Sequence, residues 1–331
     1  MIGQNRSARA SGLNKINLKW MRTKMEIVNY RELEHKSSML PLMEQAFGWP
    51  FQELEYENSI RTDPRVKDND VGFCGVEDKK VLGFVGLNDF VTRTVDGELE
   101  KVGGLFAVAT LPAYTRQGVC TKLLNRAHEY FIERGYRFSF LTTGRPSVAH
   151  ALYSKLGYSD VTSFLSAYKL KEKIERKEVS KPEKTRKWDF DRILDLYAEY
   201  VGGRTGFVVR DRAYIKTLIK QNQISAVECI TTRKGYVIFK KGKKHTKVIE
   251  LVAPDERGMN DLIELVERQA QNVVIGRIPV GDPVLSQVYK SRGFTVLEEG
   301  HGVLMVKELS PRASFIESYG NRFYMSALDY F

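Results

Sequence analysis

The stretch from Leu105 to Tyr136 constrains the chain most. It opens with a short apolar run, Leu105-Phe-Ala-Val-Ala109, and passes through a Pro-containing turn holding Arg116-Gln117-Gly118. Val119, Leu123, Leu124, Ala127, Phe131 and Ile132 follow at helical spacing. The order is strand, basic turn, helix. The first amides of a helix have no partner inside it, and the macrodipole adds positive potential, so such a unit is an anion site. Gly118 has no Cβ and lets the backbone approach a phosphate closely, while Arg116 adds a charged fork. Tyr136 to Thr143 reads as a second strand, so the whole is a crossover expected to be parallel and right-handed.

Pro146-Ser147 opens another short helix, continued by Ala149, Leu152 and Tyr153 and ended by Gly157 at the C-cap position. With this segment, the stretch from Ala107 to Tyr158 resembles the core of the GNAT family of acetyl-CoA-dependent N-acetyltransferases. That family has a turn of the form Arg/Gln-x-x-Gly-x-Gly/Ala for the pyrophosphate of CoA, and further along a Tyr-x-x-Leu-Gly-Phe/Tyr segment. Here they read Thr115-Arg-Gln-Gly-Val-Cys120 and Tyr153-Ser-Lys-Leu-Gly-Tyr158. Thr115 stands where the family has Arg or Gln, and Cys120 where it has a small residue.

The resemblance implies a mixed α/β fold of the α+β class, with a mostly antiparallel sheet and helices on both faces. It implies an acyltransferase that uses acetyl-CoA as co-substrate, an amine as acceptor and no metal. The CoA contacts fall on Val108, Ala109 and Thr110, on the turn Thr115, Arg116, Gln117, Gly118, Val119 and Cys120, and on Ser147. Backbone amides at the end of the Val108 strand are free to hold an oxyanion and the pantetheine if that strand splays from its neighbour. Tyr153 is the expected general acid, because the resemblance places its hydroxyl near the sulfur and a phenol is matched to protonating a thiolate. Cys120, in the first helical turn, is where a thiolate would be favoured.

At 331 residues the chain exceeds the usual single domain, so two are expected. Val284 to Phe294 echoes Ala149 to Tyr158, which makes the second half a diverged copy of the first. Its turn carries Asp255 and Glu256, which repel a pyrophosphate, so this copy is expected to be structural, with Tyr289 in a core or an interface. The boundaries read as a basic, disordered tail over 1–25, a catalytic unit over 26–170 and a charged linker over 171–187. A degenerate copy over 188–310 and a C-terminal segment over 311–331 complete them. This tandem resembles the enhanced intracellular survival family of acetyltransferases, whose members continue into a sterol-carrier-like domain for which this chain lacks the length.

The net charge of +11 narrows the partners less than it suggests, because Arg6, Arg9, Lys15, Lys19, Arg22 and Lys24 sit in the tail with no acid. No stacking-aromatic pattern accompanies them, which argues against nucleic acid. The tail lacks the apolar stretch of a signal peptide, and no apolar run approaches the ~20 residues that span a bilayer. Cys74, Cys120 and Cys229 are far apart and odd in number, giving neither a disulfide framework nor a Cys-x-x-Cys metal site. A cytoplasmic protein is expected, and a homo-oligomer is left open.

On the acceptor side, Glu53, Glu55 and Glu57 alternate with Leu54 and Tyr56, as an acidic lip or as a solvated helix face. No carboxylate or His lies within Leu105 to Ala109, so deprotonation is expected through water to Glu53, Glu55, Glu98 or the C-terminal carboxylate of Phe331. The leading function is transfer of acetyl to a primary amine of a small molecule. A protein or peptide N-acetyltransferase, which predicts an open groove, and a non-catalytic acyl-CoA-binding module are the alternatives.

Overall fold

The computed structural model describes residues 25–170, 188–270, 273–279 and 281–329. The expected linker, all of the tail except Met25, and Phe331 lie outside the described residues. The first half supplies strands β1 (Glu26–Asn29), β2 (Gly72–Glu77), β3 (Lys80–Arg93), β4 (Leu99–Thr110), β5 (Phe138–Thr143) and β6 (Ser159–Leu170). The second supplies β7 (Cys229–Thr231), β8 (Tyr236–Lys241), β9 (His245–Val252), β10 (Val273–Ile278) and β11 (Thr295–Glu308). All join one eleven-stranded sheet in the order β1-β2-β3-β4-β5-β11-β6-β10-β9-β8-β7. Pairing is antiparallel except at β4–β5 and β9–β10. These parallel pairs are bridged by α3 (Val119–Glu133) and α7 (Glu256–Gln269), since a parallel connection needs a crossover. The fold is mixed α/β with a mostly antiparallel sheet, as the resemblance implied.

The middle of the sheet holds a reciprocal exchange. β11 from the second half pairs with β5 of the first, Met305 opposite Leu141, and β6 from the first pairs with β10 of the second, Ile275 opposite Tyr168. The two exchanged strands also pair with each other. Local pattern conceals β11, because Glu298-Glu-Gly-His-Gly302 interrupts its apolar alternation and the register shifts between Leu297 and Gly302.

Helices α1 (Met39–Phe47), α2 (Glu53–Thr62) and α4 (Val148–Lys155) complete the first half, with α5 (Phe190–Tyr200), α6 (Arg212–Gln221), α8 (Pro283–Ser291) and the short α9 (Phe315–Tyr319) in the second. The sequence pattern predicts one helix over Leu33 to Phe47. Instead two 3-10 turns precede α1, which begins late enough to place Pro41 in its first turn, where a missing N–H costs nothing. α3 lies close on β4 because Gly103 has no side chain: a Cβ there would sit 2.4 Å from the Phe131 ring. Helices α5 and α6 and the C-terminal residues Tyr319 and Phe323 cover Phe90, Val102, Phe138 and Phe140 of the first half. The second half therefore roofs the first half's sheet.

One buried polar network makes the fold sensitive to acid. His128 of α3 lies 2.9 Å from the Tyr158 hydroxyl, which lies 2.7 Å from Ser139 Oγ. Burial, with a smaller contribution from nearby Lys307, lowers the imidazole to about 4. Between pH 6.5 and about 4 the unfolded chain binds the proton and the folded one does not. Stability is expected to fall by about 3 kcal/mol as pH drops through that window, checked by denaturant midpoints of wild type against His128→Gln, whose midpoint changes less there.

Candidate active site

Beyond Thr110 the chain turns at Pro112, and the turn runs to Gly118, the N-cap of α3. Thr115 Oγ1 donates to the Pro112 carbonyl at 2.9 Å and Gln117 Nε2 to the Ala113 carbonyl at 3.0 Å, so both side chains brace the turn. Arg116 (φ 60°) and Gly118 (φ 80°) are left-handed. For Gly118 that conformation is free, whereas for Arg116 it costs about 1–2 kcal/mol. Among the described residues, the amides from Arg116 through Thr121 donate to no protein acceptor. Open space surrounds the missing Cβ of Gly118. These free amides at a helix N-terminus have the chemistry to hold a diphosphate.

Next to this turn the sheet opens. β4 and β5 pair only at Gly103–Ser139 and Gly104–Phe140, while on its other edge β4 follows β3 as far as Thr110 opposite Gly83. A bulge interrupts the latter pairing, with Ala107 left-handed at φ 47°. From Leu105 onward, the β5-facing edge of β4 has no strand partner among the described residues.

Tyr153 sits on α4 against this opening, 6% exposed, with its ring edge-on to Tyr158 at 5.9 Å. Burial raises the phenol above its ordinary value, and neighbouring Cys120 raises it further. Burial likewise pushes the Cys120 thiol up to about 11, against an opposing effect of the Thr110 hydroxyl. The expected thiolate at Cys120 is therefore corrected to a thiol: desolvation outweighs the helix dipole. Ser147 caps α4, its Oγ accepting from His150 N at 3.1 Å and donating to the Gly144 carbonyl at 2.6 Å. His150 is held by Asp160, Nε2 to Oδ1 at 2.7 Å.

Behind the bulge lies a cavity of about 560 Å³, walled by α1, α2, the bulge and, from the second half, α6. Phe106 and Ala107 form part of it, and Trp49, Phe51 and Tyr56 make its sides aromatic. Of the expected carboxylates, Glu55 lines the cavity and Glu53 does not. Glu57 turns instead to Lys36, 3.5 Å away. Glu98 lies in the β3–β4 hairpin, about 26 Å of extended chain from Phe106, and does not line the cavity. The α6 wall, Thr217, Lys220 and Gln221, escapes sequence reasoning because it comes from the other half. A buried clamp fixes it: Asp63 Oδ2 accepts from Arg65 at 2.7 Å and from Gln221 at 2.8 Å, and Arg65 also reaches Gln221 Oε1.

The second half repeats the layout with its openings filled. Asp255 Oδ1 accepts from Gly258 N at 2.7 Å, so the α7 N-terminus is capped by its own carboxylate. β9 and β10 stop pairing at Val248–Gly276, and beyond that point Glu250 bonds Arg210 and Ser326, and Arg277 reaches the Ala327 carbonyl at 3.5 Å. Tyr289 is fully buried in a core, over Gly276. Among the described residues, no helix is long and apolar enough to cross a membrane.

The first half thus brings together a parallel pair that parts, a helix N-terminus with free amides beside it, and a cavity across a bulged strand. Residues 36–158 match the Acetyltransferase (GNAT) family. The fold as a whole is similar to a GCN5-related N-acetyltransferase from Kribbella flavida, at 18% identity over 86% of this chain and 72% of that one, TM-score 0.63. A GCN5-related N-acetyltransferase from Anabaena variabilis gives 16%, 87%, 73% and 0.62 on the same measures. Eis1 from Mycobacterium abscessus gives 14%, 87%, 74% and 0.57. No curated protein matches the chain.

Proposed function

We propose that this protein transfers the acetyl group of acetyl-CoA directly to the primary amine of a small molecule. The observation that carries the reading is the alignment of three features along β4: the free amides of Arg116–Thr121, the partnerless edge beyond Leu105, and buried Tyr153 beside Cys120. On this reading, the turn and its Arg116 hold the diphosphate, and the edge at Val108, Ala109 and Thr110 pairs with the pantetheine. The thioester carbonyl meets free β4 amides, which stabilise its developing oxyanion.

The neutral amine attacks from the cavity behind Ala107, so an N–C bond forms and the C–S bond breaks. The amine's proton leaves through water toward Glu55, the carboxylate lining that cavity. Tyr153 gives its proton to the departing sulfur. A thiolate in that dry setting is a stronger base than in water, as the Cys120 value of about 11 illustrates, so a phenol of raised pKa remains an adequate acid. The wall contributed by α6 gives the acceptor side residues from the second half. Residues 26–170 would then be the catalytic unit, with 188–310 a copy that walls its cavity.

Calorimetry with acetyl-CoA and thiol release against an amine panel test the reading, and absence of both signals defeats it. Gly118→Ala probes the cradle. Its left-handed backbone costs about 1–2 kcal/mol of stability for any other residue, and its methyl would project into the open space at the turn. Acetyl-CoA affinity is expected to drop roughly tenfold or more, a loss of at least ~1.4 kcal/mol, with the fold retained. Unchanged affinity would place the diphosphate elsewhere.

A further inference from the structure

The cavity behind the bulge has a composition that specifies its occupant, provided the transfer reading above holds. Its sides are aromatic, and Trp49 among them stacks on Phe47 at 4.4 Å and 24°. Among its lining residues stand a single carboxylate, Glu55 on α2, and a single ammonium, Lys220 on α6. Neither is paired with an opposite charge among the described residues. The remaining polar lining is neutral, including Gln52, Asn58, Ser59 and Thr217.

Each candidate acceptor meets this lining differently. A polyamine would find one carboxylate for its several charges, an apolar wall and a repelling ammonium. A plain aromatic amine would satisfy the rings and Glu55 but leave Lys220 without a counter-charge. A molecule with an amine, an aromatic body and a carboxylate satisfies all three. We infer that the acceptor is an aromatic amino carboxylate, with its ring among Trp49, Phe51 and Tyr56, its amine drawn by Glu55 toward Ala107, and its carboxylate paired with Lys220.

The test compares L-phenylalanine, 2-phenylethylamine and spermidine as acceptors in thiol-release assays of the full chain, wild type and Lys220→Gln. Lys220 is exposed, so the variant is expected to fold, and circular dichroism checks this. In wild type, kcat/KM for phenylalanine should exceed that for phenylethylamine by roughly tenfold to a hundredfold, the usual value of a hydrogen bond to a charged group. Lys220→Gln should abolish that preference by lowering kcat/KM for phenylalanine. Equal rates for the two, a preference for spermidine, or a ratio insensitive to Lys220→Gln would overturn the inference.

Binding of phenylalanine without acetyl-CoA, followed by calorimetry, separates the two levels. Saturable binding weakened by Lys220→Gln with no turnover supports the occupant and defeats the transfer. Failure of phenylalanine to bind, with acetyl-CoA binding intact, defeats the occupant alone.

Discussion

Tyr153→Phe is expected to lower kcat by about 10²–10⁴-fold while leaving acetyl-CoA affinity unchanged. The substitution removes one oxygen from a ring that stays packed against Tyr158, so cavity and fold persist. What is lost is the proton for the departing sulfur. Because burial already holds the phenol above its ordinary value, wild-type kcat should show no alkaline decline from this group below about pH 10. Rates across pH for both proteins, with calorimetry of acetyl-CoA, decide the matter. A Phe variant with the wild-type rate at every pH would remove Tyr153 from the chemistry and leave it as helix packing.

Arg210→Met should cause the largest loss of stability, about 3–5 kcal/mol. Arg210 is almost wholly buried between two carboxylates, Glu250 at 2.7 Å and Asp329 at 2.8 Å, with the Tyr197 ring 3.9 Å from its guanidinium carbon. Tyr236 adds a hydroxyl bond to Glu250 at 2.8 Å. The guanidinium holds Glu250 below its usual range, while burial keeps Asp329 above its own. Without Arg210, two buried carboxylates face each other without the guanidinium that bonds both, which favours their protonation in the folded state. In the variant both would titrate above their unfolded values, so the deficit should shrink toward acidic pH and grow as pH rises through neutrality. Urea midpoints at two pH values measure this, and Arg210→Met with Glu250→Gln and Asp329→Asn should regain much of the loss. The effect should reach activity too, because the C-terminal residues anchored here pack under β5 through Tyr319 and Phe323. A loss below ~1 kcal/mol would mean that the network contributes no more than a surface pair.

Several elements were legible because their signals are local. Apolar residues at helical spacing from Val119 to Phe131, a glycine where the chain must turn left-handed, and Ser147 ahead of α4 each express a short-range rule. Asp255 was readable in the same way, as a carboxylate placed where its partner copy offers an arginine, and it caps α7. Cys120 misled because position in a helix is local, whereas the burial that raises its thiol is not. Glu53 and Glu55 looked equivalent in sequence, yet only a helix docked on its neighbours decides which one turns to the cavity.

By itself, then, the sequence determined the strand-turn-helix that offers free amides to an anion and the carboxylate that caps α7. These follow from chain neighbours within a few turns of one another, whose geometry the backbone dictates. Only the tertiary structure decided that β6 and β11 change places, that α6 walls the cavity of the opposite half, and that the C-terminal segment fills the second opening. Those outcomes depend on contacts between residues more than a hundred positions apart, such as Asp63 with Gln221 and Arg210 with Asp329. Burial and charge pairing select such partners after the chain has collapsed, and no local periodicity encodes them.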